Sequence, residues 1–522
     1  MNKNLKKLNK FIKYLKQQGF LQWTENLKQA FPKAEIYLVG GAVRDALLNI
    51  KKNKDLDFVV RNVSLDDLQA TLSDLGWVEL LGKNFGVLKF KPRLESGQSI
   101  IFDIALPRKE FSTQPGSYKD FEVIFDEVEK IEQDLSRRDF TINALAVRLD
   151  SKKIEILDPF NGLQDLQQKL IRCVGDAEQR LSEDYNRLLR AVRFACQLDF
   201  LIEKKTQYAI KELATNLNDI DSIGEYITPR EMIATEFLKA LNYNHLKAIQ
   251  LFDKLNFLKI LMPEVLTMKK CPQPKIYHSE GDVWQHTWLA LQNLNSKKFK
   301  KFSKKLDKIL PQTNLSSALE NKLELILALF LHDIGKPLTL QTPRKHKTDR
   351  IRFNDHDNVG ADLAQKICER FKLSSPEKYG ISCDNLSWLV RKHMMLVHGH
   401  SSEFRPTTIE KNFFNEKYPG KNLIKLTWLD ISATHPRDFK LKPDLVFALL
   451  KRIKKMKKAV GHKKSQAKLP QPLLTGHEIM QLLKIIPGPQ IGEIKNKLRE
   501  KQLSGEIQTK AQAQKFIKNL PK

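Results

Sequence analysis

Residues Tyr37 to Val60 read YLVGGAVRDALLNIKKNKDLDFVV, and the two aspartates near the end, Asp55 and Asp57, decide how the rest is understood. Ile36–Val39 and Leu56–Val60 are short apolar runs of strand type, and Ala42–Leu48 between them suits a helix. The spacing predicts strand, glycine turn, helix, and then a strand carrying both carboxylates. Side chains on a strand alternate faces with a period of two, so Asp55 and Asp57 point the same way and can hold divalent cations. Magnesium takes oxygen ligands, commonly one or two carboxylates plus substrate phosphates, and a pair of such ions clamps the attacking and leaving oxygens of an in-line displacement. Gly40 and Gly41 fall where backbone must approach a triphosphate closely, and Arg44 follows within the first helical turn. A D-x-D pair alone is also what a solvated turn displays. The preceding G-G-x-x-R-D and the strands on both sides favour phosphate chemistry.

With these residues the chain resembles the nucleotidyltransferase superfamily, and within it the bacterial tRNA nucleotidyltransferase and poly(A) polymerase family. Residues 134–146, DLSRRDFTINALA, are similar to that family's second motif, which implies that Arg137, Arg138 and Asp139 serve the sugar and phosphates of an incoming nucleotide. Residues 158–166, DPFNGLQDL, resemble the link from catalytic head to helical neck, and 183–194, EDYNRLLRAVRF, resemble the neck helix whose E-D-x-x-R pattern reads the base. Those positions here are Glu183, Asp184 and Arg187. Independently of the resemblance, Asp184, Arg187 and Arg190 step by three along an expected helix, and Arg193 continues the row. A carboxylate beside a guanidinium fork offers an acceptor and paired donors to a base edge. The alternative, a salt-bridge ladder on the neck, is the better reading of Arg193. Asp103, in the apolar run IIFDIAL, is placed like the family's third strand carboxylate, and an acid there needs a partner, whether metal or base. Arg108, Lys109 and Glu110 begin a polar stretch to about Asp126 that resembles the family's mobile specificity loop.

A second chemistry lies downstream. In residues 328–336, ALFLHDIGK, His332 and Asp333 are adjacent at the end of an apolar helix-like segment, which resembles the HD phosphohydrolase signature. Such domains require an earlier histidine and a later aspartate, supplied here by His286 in GDVWQHTWLAL and Asp430 in LTWLDISATH. Imidazoles with carboxylates suit a divalent transition metal such as Ni2+ or Mn2+, and the carboxylates also suit Mg2+. His356 in FNDHDNVGA and His393 in VRKHMM stand where the resemblance places further histidines, which allows a second ion. The resemblance implies phosphatase or 2′,3′-cyclic phosphodiesterase activity for this module.

The expected architecture is therefore multidomain, α/β followed by all-α. A basic N-terminal helix occupies 1–35, a nucleotidyltransferase head with a mixed β-sheet and helices 36–150, and a helical neck with RNA-binding character 151–262. A helical HD domain follows at 263–445, a lysine-rich linker at 446–472, with its helix-unfriendly part HKKSQAKLPQP at 462–472, and a short helical tail at 473–522. With 522 residues the chain is too long for one core. In the tail, Thr475 with Glu478 three residues on forms a capping pattern, and Pro487, Gly488 and Pro489 break the helix that follows.

A net charge of +28 favours a polyanionic partner, with nucleic acid foremost, although lysine runs such as SKKFKKFSKKLDK at 296–308 are also ordinary solvated surface. A tRNA acceptor arm held by shape and phosphate contacts fits such a surface. The N-terminal helix, with Lys3, Lys7 and Lys10 opposite Leu5, Leu8, Ile12 and Leu15, offers a lesser membrane-surface alternative. No apolar stretch long enough to span a bilayer is present and the N-terminus lacks a signal-peptide core, so a cytoplasmic protein is expected. Its five cysteines, without a C-x-x-C pair, read as reduced thiols.

The function these readings converge on is template-independent addition of CCA to the 3′ end of tRNA from CTP and ATP, with Mg2+ at the head. Addition of CC only, of A only, or of poly(A) uses the same head motifs. From a different class, the HD site could be the main activity with the head as an RNA anchor, or the chain could only bind RNA.

Overall fold

The computed structural model describes residues 2–50, 55–81, 86–94, 97–112, 116, 121–151, 154–310, 321–398, 404–414, 418–435, 444–461 and 469–520. The chain divides into two units, Met1–Ile260 and Leu261–Lys522.

The first unit is built on strands β1 (Glu35–Val39), β2 (Leu56–Arg61), β3 (Gly76–Leu81), β4 (Val87–Pro92) and β5 (Phe102–Ala105), then a separate hairpin of β6 (Arg108–Ser112) and β7 (Phe121–Phe125), then β8 (Ala146–Arg148) and β9 (Glu155–Leu157). Seven of these form one mixed sheet in the order β3-β4-β5-β2-β1-β8-β9. Within it β2 and β5 run parallel and the other neighbours antiparallel. Strand alternation explains the layering. Phe58 of β2, Phe90 of β4 and Phe102 of β5 are buried on one face, where Trp23 of the Gln22–Ala30 helix meets Phe58 edge-on with ring centroids 5.2 Å apart. The intervening residues Asp57 and Asp103 are thereby turned to the other face.

Asp55 lies one residue ahead of β2, so the expected shared strand begins after it. The polar stretch from Arg108, expected as a loop, is partly the β6–β7 hairpin, because Phe121–Phe125, FEVIF, is rich in the aromatic and β-branched residues that suit a strand and pairs antiparallel with Arg108–Ser112. The N-terminal helix spans Asn2–Gln17, and its apolar stripe is not free for a membrane: Leu8, Ile12 and Leu15 are buried, and Lys7 donates to the Leu47 carbonyl. Among the described residues no helix is long and apolar enough to cross a membrane.

The neck helix is Asn186–Leu198 and packs along Arg230–Lys254. It starts later than the E-D-x-x-R spacing predicts. Glu183 and Asp184 precede it, and the Asp184 carboxylate accepts from the Asn186 N–H at 2.9 Å, as a short acidic side chain does where a helix begins. Asp184, Arg187 and Arg190 are therefore not a single helical row.

The second unit is helical. Val283–Asn293, Lys322–Leu331, His356–Arg370, Cys383–Lys392 and Gly420–Ala433 supply the elements around the HD pair. Cys368 and Cys383 are joined by a disulfide with Cα atoms 5.5 Å apart, which corrects the expectation of five thiols. The two helices that carry them pack together, a pairing that no C-x-x-C spacing announces. Cys173, Cys196 and Cys271 are buried and free, and burial pushes the Cys173 and Cys196 thiols up to about 12. The C-terminal helices Gly476–Leu483, Pro489–Ser504 and Lys510–Lys518 close over their own core of Leu474, Ile479, Leu498, Ile507 and Ile517, and the capping box between Thr475 and Glu478 is present. Residues 462–468 of the expected connector lie outside the described residues.

One buried acid in this unit carries a pH consequence. Glu324, in the otherwise apolar Lys322–Leu331 helix, is 0% exposed; burial raises its carboxyl to about 7, and the Ser382 N–H, 2.8 Å away, offsets this only in part. Its polar neighbours, Ser382 and Asn385, are neutral, and Oε2 meets no donor. A raised folded value means that the fold favours the protonated form. Its stabilising contribution is complete below the unfolded value near 4.5 and is lost as pH rises through about 7. Glu324→Gln is expected to raise the unfolding temperature by about 4 °C at pH 8.5, for a gain of about 1–2 kcal/mol, and to change it little at pH 5. A calorimetric scan at the two pH values checks this, and an equal shift at both would contradict it.

Candidate functional site

The head site forms where β1 ends. Val39 pairs with Asp57 across the antiparallel ladder, so Gly40, the next residue, sits beside the Asp57 carboxylate. Gly40 has φ +69°, a conformation that strains any side chain, and a Cβ there would stand 2.7 Å from Arg138 Nη1 and displace that guanidinium. In the parallel ladder Asp57 is the register partner of Asp103, and in the antiparallel ladder Asp103 faces Lys89, whose ammonium is 3.3 Å away. Asp55, Asp57 and Asp103 thus share one electrostatic neighbourhood. Burial raises the Asp57 carboxyl; Arg138 opposes this, and the charges of Asp103 and Asp55 add to the rise. A buried carboxylate whose ionisation is opposed by two neighbouring carboxylates makes a site that favours a cation.

Behind this group lies a buried polar layer. Asp134, 0% exposed, takes Arg137 at 2.5 Å and Arg138 at 3.2 Å, and the two arginines hold its carboxyl low despite burial. Arg138 Nε is buried without a hydrogen-bond partner, and Nη1 of the same guanidinium lies against Gly40. Gly41 opens the Gly41–Leu47 helix. Arg44 on that helix is buried, and it donates to Asp45 at 2.8 Å and Asn143 at 2.6 Å, so its guanidinium is engaged within the protein. Asn143 in turn donates to Asp139 at 3.0 Å, and Arg190 of the neck helix grips Asp139 Oδ2 through Nε at 2.8 Å and Nη2 at 2.5 Å. Despite burial, Arg190 and Asn143 hold the Asp139 carboxyl down to about 2. Asp139 is therefore the joint between head and neck. Glu183 holds Arg187 at 2.5 Å, and Arg187 also donates to the Arg180 carbonyl at 2.7 Å. Burial raises the Asp184 carboxyl, with Arg187 opposing. Arg193 pairs with buried Glu236 on the Arg230–Lys254 helix.

The HD residues converge in the second unit. His286 Nε2 is 2.9 Å from Asp430 Oδ1 and 4.0 Å from Asp333 Oδ2, and His332 Nε2 is 3.3 Å from Asp333 Oδ2 and 3.8 Å from Asp430 Oδ1. On the other side of the same aspartate, His356 and His393 each place Nε2 3.7 Å from Asp333 Oδ1 and 3.3 Å from one another. Asp333 thus faces two ligand sets, one through each oxygen. The close approach of the His356 helix depends on Gly335: a Cβ there would lie 2.2 Å from the His356 carbonyl oxygen and 2.6 Å from the Gly360 nitrogen.

The protonation pattern of these histidines is set by their outer contacts. His332, His356 and His393 each direct Nδ1 at the carbonyl three residues earlier, of Leu329, Phe353 and Val390, at 2.8, 2.8 and 2.6 Å. A carbonyl only accepts, so Nδ1 carries the proton and Nε2 keeps its lone pair for the centre. His286 differs: Glu280 faces its Nδ1 and Asp430 its Nε2, each at 2.9 Å, and despite burial the two carboxylates raise it to about 9, so Nε2 gives up its proton only when a cation takes its place. A divalent cation fits this set: His332 Nε2 is buried with no hydrogen-bond partner beside Asp333 Oδ2, which the Lys336 ammonium also approaches, and the Nε2 atoms of His356 and His393 face each other 3.3 Å apart beside Oδ1.

Sequence reasoning missed several supporting residues. Asp134 opens the second motif and reaches Arg137 and Arg138 at helical spacings of three and four, a signal that was available. Glu280, which also binds His278 at 2.6 Å and accepts from the His435 N–H at 2.9 Å, precedes His286 by six residues across a helix start and showed no such signal. Lys336, the last residue of H-D-x-G-K, is 2.7 Å from Asp333 and donates to Gln273 at 2.9 Å.

The fold and the two carboxylate centres define a nucleotidyltransferase head followed by an HD module. Comparison with known proteins agrees: residues 36–172 match the poly A polymerase head domain and 299–416 the HD domain, a span that leaves His286 and Asp430 outside. A multifunctional CCA protein of Pasteurella multocida is 35% identical over 343 residues, covering 65% of this chain and 70% of that one. An A-adding tRNA nucleotidyltransferase of Deinococcus radiodurans is 30% identical over 389 residues, covering 74% and 79%. Among solved structures, a CCA-adding enzyme in complex with ATP superposes with a TM-score of 0.58 at 20% identity over 97% of this chain and 95% of that one, a likeness of fold. The chain belongs to the bacterial tRNA nucleotidyltransferase and poly(A) polymerase family, in its HD-containing form.

Proposed function

We propose that the protein is a cytoplasmic, template-independent nucleotidyltransferase that completes the 3′-terminal CCA of tRNA from CTP and ATP. The observation that carries this reading is that Asp57 stands beside Asp103, with Gly40 next to Asp57 and the Arg138 guanidinium, whose Nε is unpartnered, against Gly40. Asp55 and Asp57 would hold Mg2+ with Asp103 as the third carboxylate, and bound magnesium would neutralise the triphosphate and lower the pKa of the attacking 3′-hydroxyl. Gly40 and Gly41 keep the backbone open for the phosphates, and Arg138 offers them its free donor. Attack on the α-phosphorus forms the new phosphodiester and releases pyrophosphate. The neck supplies selection of the base: Asp184 offers an acceptor and Arg187, oriented by Glu183, offers donors. Arg44, Arg137, Asp139, Arg190 and Arg193 serve as the frame that holds these groups in place.

The HD centre supports a second, metal-dependent phosphoester hydrolysis. His286, His332, Asp333 and Asp430 would hold one ion and Asp333, His356 and His393 another, with Ni2+, Mn2+ or Mg2+ as candidates.

The test of the main reading is extension of three tRNA transcripts, ending at the discriminator base, at C and at CC, with Mg2+ and with CTP and ATP supplied singly and together. Extension of all three to CCA followed by a stop is expected. Addition of C alone or A alone would replace it with a partial activity, and long A tails with poly(A) polymerisation. No extension would move the HD centre to first place.

A further inference from the structure

The positive charge of this protein is not shared between its two units. Met1–Ile260 holds 40 lysines and arginines against 37 aspartates and glutamates, a net of +3, although it contains the nucleotidyltransferase site. Leu261–Lys522 holds 49 against 24, a net of +25. If the excess only kept the chain soluble, nothing would confine it to one half.

Within the second unit the charge is concentrated on two neighbouring helices, Lys297–Ile309 and Asp444–Ala459. The first buries Phe299, Phe302, Leu306 and Ile309, and Phe302 stacks on Trp428 with centroids 5.0 Å apart. Its opposite face leaves seven lysines exposed. The second helix buries Val446, Leu449, Leu450 and Ile453 and exposes four lysines, at 451, 454, 455 and 458. Three contacts fix the two helices side by side: Phe302 against Phe447 at 6.1 Å, Lys305 Nζ over the Phe447 ring at 4.7 Å, and buried Lys457 donating to the Ile309 carbonyl at 3.2 Å. Each helix carries a single acid. Asp307 is neutralised by Lys421 at 2.7 Å, and Asp444 stands at the first turn of its helix. Among the described residues no carboxylate forms an ion pair with any of the eleven exposed lysines.

We infer that this two-helix lysine face is an RNA-docking surface, which grips the sugar-phosphate backbone of the tRNA outside the segment being extended. The chemistry selects this partner. Lysine ammonium groups are compact point charges suited to phosphate oxygens, whereas bidentate base recognition calls for arginine, and Arg452, the one arginine on the two helices, is committed to the Phe404 carbonyl. The face thus binds by charge and shape without reading sequence, as suits an enzyme that must accept every tRNA body. The inference rests on the proposed action on tRNA and adds where the RNA is held.

The test combines Lys301→Gln, Lys304→Gln, Lys451→Gln and Lys455→Gln, four exposed positions outside the Phe447 contact and the buried Lys457. A control removes four exposed lysines of the first unit outside the neck, Lys10, Lys13, Lys16 and Lys33, in the same way. Binding of a tRNA ending in CC is measured by fluorescence anisotropy from 50 to 300 mM salt. The quadruple variant is expected to weaken Kd at least tenfold at 100 mM and to reduce the slope of log K against log salt by about 2–4, near 0.9 for each lost phosphate contact. It should raise KM for tRNA while leaving KM for nucleotide and kcat at saturating tRNA unchanged. The control should shift Kd by less than twofold. An unchanged Kd and salt slope in the quadruple variant would overturn the inference, as would an equal loss in the control, which would make the effect one of net charge. Loss of binding to vesicles containing anionic lipid with tRNA affinity intact would also overturn it, in favour of a membrane. Because binding is read without turnover, failure of the wild-type protein to extend tRNA rejects the proposed activity and leaves this result separately readable.

Discussion

Asp57→Asn is expected to abolish nucleotide addition, by at least about 10³-fold in kcat or about 4 kcal/mol of barrier, while the protein becomes slightly more stable. The two effects have one cause. Asp57 lies beside Asp103 in the β2–β5 ladder and near Asp55, and burial together with those charges raises its carboxyl even though Arg138 opposes them. At neutral pH the ionised carboxylate is thus unfavourable for the fold and is retained for the cation it can hold. The neutral amide relieves that repulsion, keeps the shape, and removes the charge. A loss of incorporation with an unchanged or higher unfolding temperature is the signature of a functional carboxylate, since a structural role would lower both. Incorporation of labelled CTP into a tRNA transcript, with a thermal scan of the same sample, measures both. Activity within tenfold of wild type would remove Asp57 from the mechanism.

The features of this site that were legible in the sequence are those that depend on short-range periodicity. Strand alternation places Asp57 on the face opposite Phe58, and Asp103 stands out as the one acid in the apolar run IIFDIAL, but only the register of the parallel β2–β5 ladder sets the two side by side. The HD ligands were legible as residue types in order, because H-D-x-G-K is compact and its partners are histidines and an aspartate in otherwise apolar surroundings. What could not be read is where a side chain's donors end. Arg44 follows the glycine pair as a phosphate ligand would, but Asn143, ninety-nine positions away, takes its guanidinium. Arg187 and Asp184 look like one helical row until the helix is seen to begin at Asn186. The Cys368–Cys383 bond and the orientation of His286 by Glu280 each depend on the packing of separate segments, for which a single sequence carries no signal.

At the other centre the largest effect is expected from Asp333→Asn. Every other ligand faces one side: His286 and His332 lie at Asp333 Oδ2 with Asp430 Oδ1 against both imidazoles, and His356 and His393 lie at Oδ1. Removing the one carboxylate that serves both should therefore empty both positions, whereas Asp430→Asn and His356→Ala should each remove one ion. Metal content per chain, measured by mass spectrometry after loading with Mn2+ and gel filtration, should fall from two in the wild type to one in each single-sided variant and to none in Asp333→Asn. Phosphoester hydrolysis should disappear with the ions. CCA addition should persist, since the carboxylates at β2 and β5 belong to the other unit. Asp333→Asn also leaves the buried Lys336 ammonium with Gln273 as its remaining polar partner, at a cost of about 3–5 kcal/mol for an uncompensated buried charge. The single-sided variants keep the count informative because they leave that ion pair intact. One ion retained in Asp333→Asn, or two in either single-sided variant, would show that the two ligand sets do not share this aspartate as the geometry requires.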